Sequence, residues 1–213
     1  MDEQNFDPTH RWFDLCYRNN IDINIAIAMC EKLVDAYSEP NRHYHSMTHV
    51  YSCLNLLDGL PVSGQTKDIL EFATWFHDYI YDPQSDTNEL ESAEFATNWL
   101  AAQNVPYANE VKEIIELTAD HGNEVLTDDV QQIFHDLDMA ILGANSDDYM
   151  HYARAIRKEY EHLTDNEYRT GRASFLSAVD KKEAIYKTDA FRDLFELNAR
   201  ENIRSELANL EKK

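Results

Sequence analysis

Apolar positions recur along this chain at three- and four-residue steps, with polar and charged residues filling the steps between them. That spacing predicts helices near 8 to 19, 22 to 38, 46 to 59, 66 to 78, 87 to 103, 107 to 120, 127 to 142, 146 to 162, 165 to 179 and 189 to 210. Glycine and proline sit at the breaks, as in Glu39-Pro40-Asn41 and Gly59-Leu60-Pro61-Val62-Ser63-Gly64. The segment Asp22 to Cys30 alternates for a few residues as a strand would, but its continuation into Glu31-Lys32-Leu33-Val34-Asp35 favours a helix. No convincing run of alternating strands, internal repeat, low-complexity tract or linker interrupts the helical pattern. The expected fold is therefore all-α.

Length and composition narrow that expectation. A chain of 213 residues with 43% hydrophobic content, five Gly and five Pro can bury one sizeable core and has no need of several domains. A single compact multi-helix bundle spanning 1–213 follows. Charge changes the picture of partners. Nineteen basic against forty acidic side chains give a formal net charge of −21, with no basic stripe, so a polymeric nucleic acid would be repelled. The three cysteines, Cys16, Cys30 and Cys53, are too far apart for a zinc ribbon or a disulfide framework and read as reduced thiols. The acidic N-terminus lacks an apolar signal core, and no stretch approaches the roughly 18 apolar residues of a membrane span. The expectation is a cytoplasmic protein that does not enter membranes; the pattern assigns no oligomeric state.

Candidate chemistry begins where the apolar run Ile69-Leu70-Glu71-Phe72-Ala73-Thr74-Trp75-Phe76 ends in His77-Asp78. A buried helix that delivers an imidazole and a carboxylate at its C-terminal end suits a divalent metal, because both donors bind first-row ions and the carboxylate can bridge two. Upstream, Arg42-His43-Tyr44-His45-Ser46-Met47-Thr48-His49 places His45 and His49 four residues apart, a spacing that shares one face of a helix beginning near Ser46. One of them can bind metal while the other faces substrate. Downstream, Phe134-His135-Asp136-Leu137-Asp138 offers two competing carboxylates, Asp136 and Asp138.

The order His, His-Asp, Asp resembles the HD superfamily of helical metal-dependent phosphohydrolases. The blocks Arg-x-Tyr-His-x-x-x-His at 42 to 49, Phe76-His77-Asp78-Tyr79-Ile80-Tyr81-Asp82-Pro83, Asn88-Glu89-x-x-Ser92-Ala93, Thr118-x-x-His121, Asp136 to Gly143 and Tyr168-x-x-Gly171-Arg172 are similar to a bacterial family of predicted metal-dependent HD phosphohydrolases. Tyr44 to His49 is also similar to a segment of cyclic nucleotide phosphodiesterases. The resemblance implies an HD-domain-like fold and a metal held by His49, His77, Asp78 and Asp138. It prefers Asp138 because the superfamily's last Asp precedes a short apolar helical stretch, as Met139-Ala140-Ile141-Leu142 does here. It makes His45 the general acid and places Asp78 in the catalytic group.

The expected cofactor is one divalent ion, or two, drawn from manganese, iron, cobalt, nickel, zinc and magnesium. The expected substrate is a small phosphoester or phosphoanhydride, a nucleotide among the choices. An anionic substrate in so acidic a chain needs local cations. Arg42, Arg157 and Arg172 are the candidates to bind it, with Arg154 and Lys158 nearby, although Arg157 and Arg172 can equally pair with carboxylates on helix surfaces. His121 is open to orienting substrate, supporting a second metal or closing a helix. Glu89 is open to steering water or to a solvated or capping role. Two other readings keep the helical frame. Some HD-like proteins hold two irons and activate oxygen, for which only His121 and His135 stand between Asp78 and Asp138 as added ligands. A regulatory module would bind metal or nucleotide without turnover.

Overall fold

The computed structural model describes residues 9–120, 126 and 128–212. Among them every regular element is helical. Ten α-helices follow one another as α1 (Thr9–Arg18), α2 (Ile23–Tyr37), α3 (Met47–Asp58), α4 (Gly64–Phe76), α5 (Asn88–Ala102), α6 (Ala108–Leu117), α7 (Asp129–Met139), α8 (Ser146–Glu159), α9 (Asp165–Asp180) and α10 (Asp189–Leu210), with short 3-10 turns at Thr118–Asp120 and Ala140–Gly143. No helix among the described residues is long and apolar enough to cross a membrane.

Side-chain caps fix several starts. Asp22 accepts the amides of Asn24 and Ile25, which commits the ambiguous segment after it to helix rather than strand. Asp128, Asn145 and Thr188 cap α7, α8 and α10 in the same way, and Thr164 with Glu167 forms a reciprocal capping box at α9. Three predicted helices end three residues early; of these, the one expected to reach His162 stops at Glu159. The segment expected to reach Asp120 tightens to a 3-10 turn after Leu117, and the one expected to reach Leu142 does so after Met139.

The chain forms two compact units. The first comprises 1–39 and 45–116 and contains α1 to α6; the second comprises 40–44 and 117–213 and contains α7 to α10. In the first unit α4 packs against α1, α3 and α5. Residues Ile69 to Phe76 are all buried, so this helix carries no solvated face along its second half. Trp12 of α1 sets its ring against Trp75 and Phe76 of α4, with centroids 5.6 and 5.8 Å away, and against Trp99 of α5 at 5.4 Å. Its indole N–H donates to the Ala26 carbonyl of α2 at 2.8 Å. Glu71, buried within the apolar run, is neutralised by Arg11 at 3.3 Å and Arg18 at 2.8 Å. The outcome is a rigid α4 whose last residue is followed at once by His77.

In the second unit α10 packs on α8, α9 and the Ala140–Gly143 turn. A Cβ on Gly143 would stand 2.5 Å from the Phe195 Cβ and 2.6 Å from its carbonyl oxygen, so glycine is required by close approach. Asn202 donates to the Leu142 and Ala144 carbonyls, each at 2.9 Å, and closes the ends of the turn.

Candidate metal centre

His77 is the C-cap residue of α4, in helical conformation, and its amide still bonds the Ala73 carbonyl. Its Nδ1 lies 3.0 Å from the Thr74 carbonyl oxygen. A carbonyl only accepts, so Nδ1 carries a hydrogen and Nε2 is the ring atom turned toward the centre. That Nε2 stands 3.0 Å from the Nε2 of His49, on the first turn of α3. Asp78 brings Oδ2 to 3.0 Å from His77 Nε2 and 3.8 Å from His49 Nε2. Two ring nitrogens and a carboxylate oxygen thus converge inside the first unit, and both imidazoles are buried. Removal from water disfavours the Asp78 charge, yet His77 above all, followed by His45 and His49, holds its carboxyl below the usual carboxylate range. Cys53, one turn beyond His49, sets its sulfur 3.8 Å from His49 Nδ1.

His45 lies before α3, not on it, because Ser46 is an extended N-cap and the helix opens at Met47. The shared helical face expected for His45 and His49 is replaced by a turn that leaves their ring centroids 6.1 Å apart. His45 is half-buried, and its ring rests on that of Tyr81 with centroids 4.4 Å apart. Tyr81 belongs to the loop between α4 and α5. Glu89 is half-buried in the first turn of α5. Asp82 makes a local turn, its Oδ1 accepting the Gln84 amide at 2.9 Å.

The remaining candidates belong to the second unit, apart from His121, which lies outside the described residues. Arg42 is buried on the segment Pro40–Tyr44, whose backbone is fixed where the His43 and Tyr44 amides donate to Glu159 Oε1 at 2.7 and 2.6 Å. Asp136 is fully buried and saturated: its carboxylate accepts the Lys187 amide at 2.7 Å, and the Thr188 amide and hydroxyl at 2.8 Å each. That occupation separates it from Asp138, half-buried on α7, which offers a carboxylate oxygen of the kind that ligates metal.

Two of the candidate arginines, Arg157 and Arg172, hold structural partners in the second unit. Arg157 donates to the Tyr160 and Leu163 carbonyls at 2.7 and 3.2 Å and to Asp165 at 2.8 Å. Arg172 is buried, forks onto Glu206 at 2.9 and 3.2 Å, and donates to the Tyr152 hydroxyl at 3.1 Å. Each has a carboxylate among its partners. Glu159 and the pair Asn88 and Ser92, which prove to anchor backbone, carried no functional assignment from sequence. The i, i+4 spacing of Asn88 and Ser92 directly after a Pro-containing loop was the available signal.

Fold and site together define a class: an all-α protein in which His49, His77 and Asp78 gather donor atoms of the kind that bind metal ions. No family model, no curated protein and no solved structure matches the chain.

Proposed function

We propose that the chain is a metal-dependent phosphohydrolase of the HD type, cleaving a small phosphoester or phosphoanhydride. The observation that carries this reading is the 3.0 Å approach of His49 Nε2 to His77 Nε2, with Asp78 Oδ2 beside both. Ring nitrogens at that spacing require a proton or a cation between them, and an adjoining carboxylate favours a divalent cation. The donor set fits the ion for a second reason. It holds no thiolate, whereas closed structural zinc sites are commonly thiolate-rich. The resemblance adds Asp138 as a further ligand, and the saturation of Asp136 supports that choice over its competitor.

A divalent ion, when bound, supplies acidified water and offsets charge on a phosphoryl oxygen. The chain's own residues do the rest. His77 is oriented by its hydrogen bond to Thr74, so its Nε2 faces the centre without rearrangement. Asp78 remains ionised and balances the positive charge. His45, half-buried beside His49, donates a proton to the leaving oxygen, a contribution of about 10²–10⁴-fold to the rate.

Metal content by inductively coupled plasma mass spectrometry, on protein purified without chelator or metal-binding tag, tests the centre. The wild type should carry about one or two equivalents and His77→Ala none. A wild type that is empty and takes up no added manganese, iron, nickel or zinc would overturn the reading. A loaded protein that hydrolyses none of a panel of nucleotides, sugar phosphates and generic phosphoesters would make it a binding module. His45→Ala should retain the metal and lose turnover.

A further inference from the structure

The loop that leaves His77-Asp78 is fastened at two points, one on each side of Tyr81. On one side the Ile80 amide donates to Ser92 Oγ at 3.0 Å, and the same hydroxyl donates to the Ile80 carbonyl at 3.3 Å. On the other, the Asp82 amide donates to Asn88 Oδ1 at 3.0 Å while Asn88 Nδ2 donates to the Asp82 carbonyl at 2.8 Å. Asn88 and Ser92 stand four residues apart on α5, so one face of the helix presents both groups to the loop. Each side chain satisfies both backbone groups of the residue it grips, and Asn88 and Ser92 are themselves buried.

Tyr81 is thereby held by its two neighbours, and its ring lies 4.4 Å from that of His45 at an interplanar angle of 32°. His45 precedes α3, and its side chain is half-buried. A proton donor displaced by about 1 Å can lose on the order of 10²-fold in rate.

We infer that Asn88 and Ser92 clamp the loop so that Tyr81 serves as a platform for His45, fixing the imidazole beside the His49, His77 and Asp78 group. Tyr81, Asn88 and Ser92 are positioning residues. The placement of His45 stands on the geometry alone; its consequence for turnover rests on the phosphohydrolase reading.

The test reads His45 directly. In the metal-free protein, the ring-proton resonances of His45, assigned by their absence in His45→Gln, are expected upfield of an exposed histidine because the Tyr81 ring lies against them. Asn88→Ala and Tyr81→Leu should return them toward the exposed position, Tyr81→Phe should leave them in place, and Asn88→Asp, which keeps the acceptor and loses the donor, should fall between. Thermal melts confirm that each variant is folded. Metal content should match wild type throughout, and hydrolysis of p-nitrophenyl phosphate should fall about 10–100-fold in kcat for Asn88→Ala and Tyr81→Leu with KM unchanged. Unmoved His45 resonances in the two disruptive variants would overturn the clamp. So would metal loss in Asn88→Ala as complete as in His77→Ala, which would make it a support of the ligand set instead. If wild type hydrolyses no phosphoester, the phosphohydrolase reading fails while the resonances still decide the clamp.

Discussion

Buried carboxylates of the second unit and the converging donors of the first meet opposite circumstances. In the second unit buried carboxylates are filled by backbone amides. Asp136 takes those of Lys187 and Thr188, Glu159 those of His43 and Tyr44, and Glu196, partly buried, those of Ile185 and Tyr186. Each pins a non-helical segment to a helix, and its charge is spread over N–H donors that would otherwise face a dry interior. In the first unit His49, His77 and Asp78 turn ring nitrogens and a carboxylate oxygen toward one another. A carboxylate ringed by amides is a fastener and asks for nothing more. Donor atoms that converge on one another are joined by a proton or, in the reading proposed above, by a cation. Burial and charge are shared by both groups; what the neighbouring atoms supply separates structure from chemistry.

The largest expected effect breaks the first side of the comparison. Added metal should raise the melting temperature of wild type, by the equivalent of about 2.7 kcal/mol when the free ion is at 100 times its dissociation constant, and should leave His77→Ala unmoved. The next breaks the second side. Asp136→Asn keeps shape but sets an NH2 group where amides now donate, and should cost about 2 kcal/mol in a denaturant titration. A loss below about 0.5 kcal/mol would mean that water replaces those donors and that Asp136 is no fastener.

How far each side was legible from sequence follows from the same physics. The helices were readable because their apolar faces and capping residues, Asp22, Asp128, Asn145, Thr164 and Thr188, are local signals. His77-Asp78 stood out because it closes an apolar run, and nine histidines in the chain make a histidine-rich segment unusual. The fasteners did not stand out. Among forty acidic residues, nothing local distinguishes Glu159 or Glu196 from a solvated neighbour, since their amide partners lie 116 and 10 or more residues away. Gly143 was equally mute: its requirement comes from the backbone of Phe195 and not from its own turn. Gly143→Ala should therefore cost about 1–3 kcal/mol through overpacking, measured as a shift in the denaturation midpoint with an unchanged slope.

A smaller change sharpens the independence of the two sides. Glu196→Gln weakens the grip on Ile185 and Tyr186 while leaving the backbone path intact, and should cost about 1.5 kcal/mol. The stabilisation by added metal should be the same in this variant as in wild type, because sites without shared partners contribute additively within about 0.5 kcal/mol. A metal-induced shift that disappears in Glu196→Gln would show that fastener and metal centre are one cooperative system, and the comparison would fail.

The smallest effect belongs to Arg157, where sequence left two roles open. Its guanidinium holds the Tyr160 and Leu163 carbonyls and meets Asp165, but Asp165 is 87% exposed and the carbonyls lie near the end of α8, where water can take the arginine's place. Exposed pairs of this kind contribute about 0–1 kcal/mol, so Arg157→Ala should lower stability by no more than that. Its kinetic reading is sharper than its thermodynamic one. If Arg157 serves only the helix end, KM for a phosphoester accepted by wild type stays unchanged in Arg157→Ala. A tenfold rise in KM, equivalent to about 1.4 kcal/mol of lost binding, would return Arg157 to the substrate-binding role and place an active cation in the unit otherwise built from fasteners.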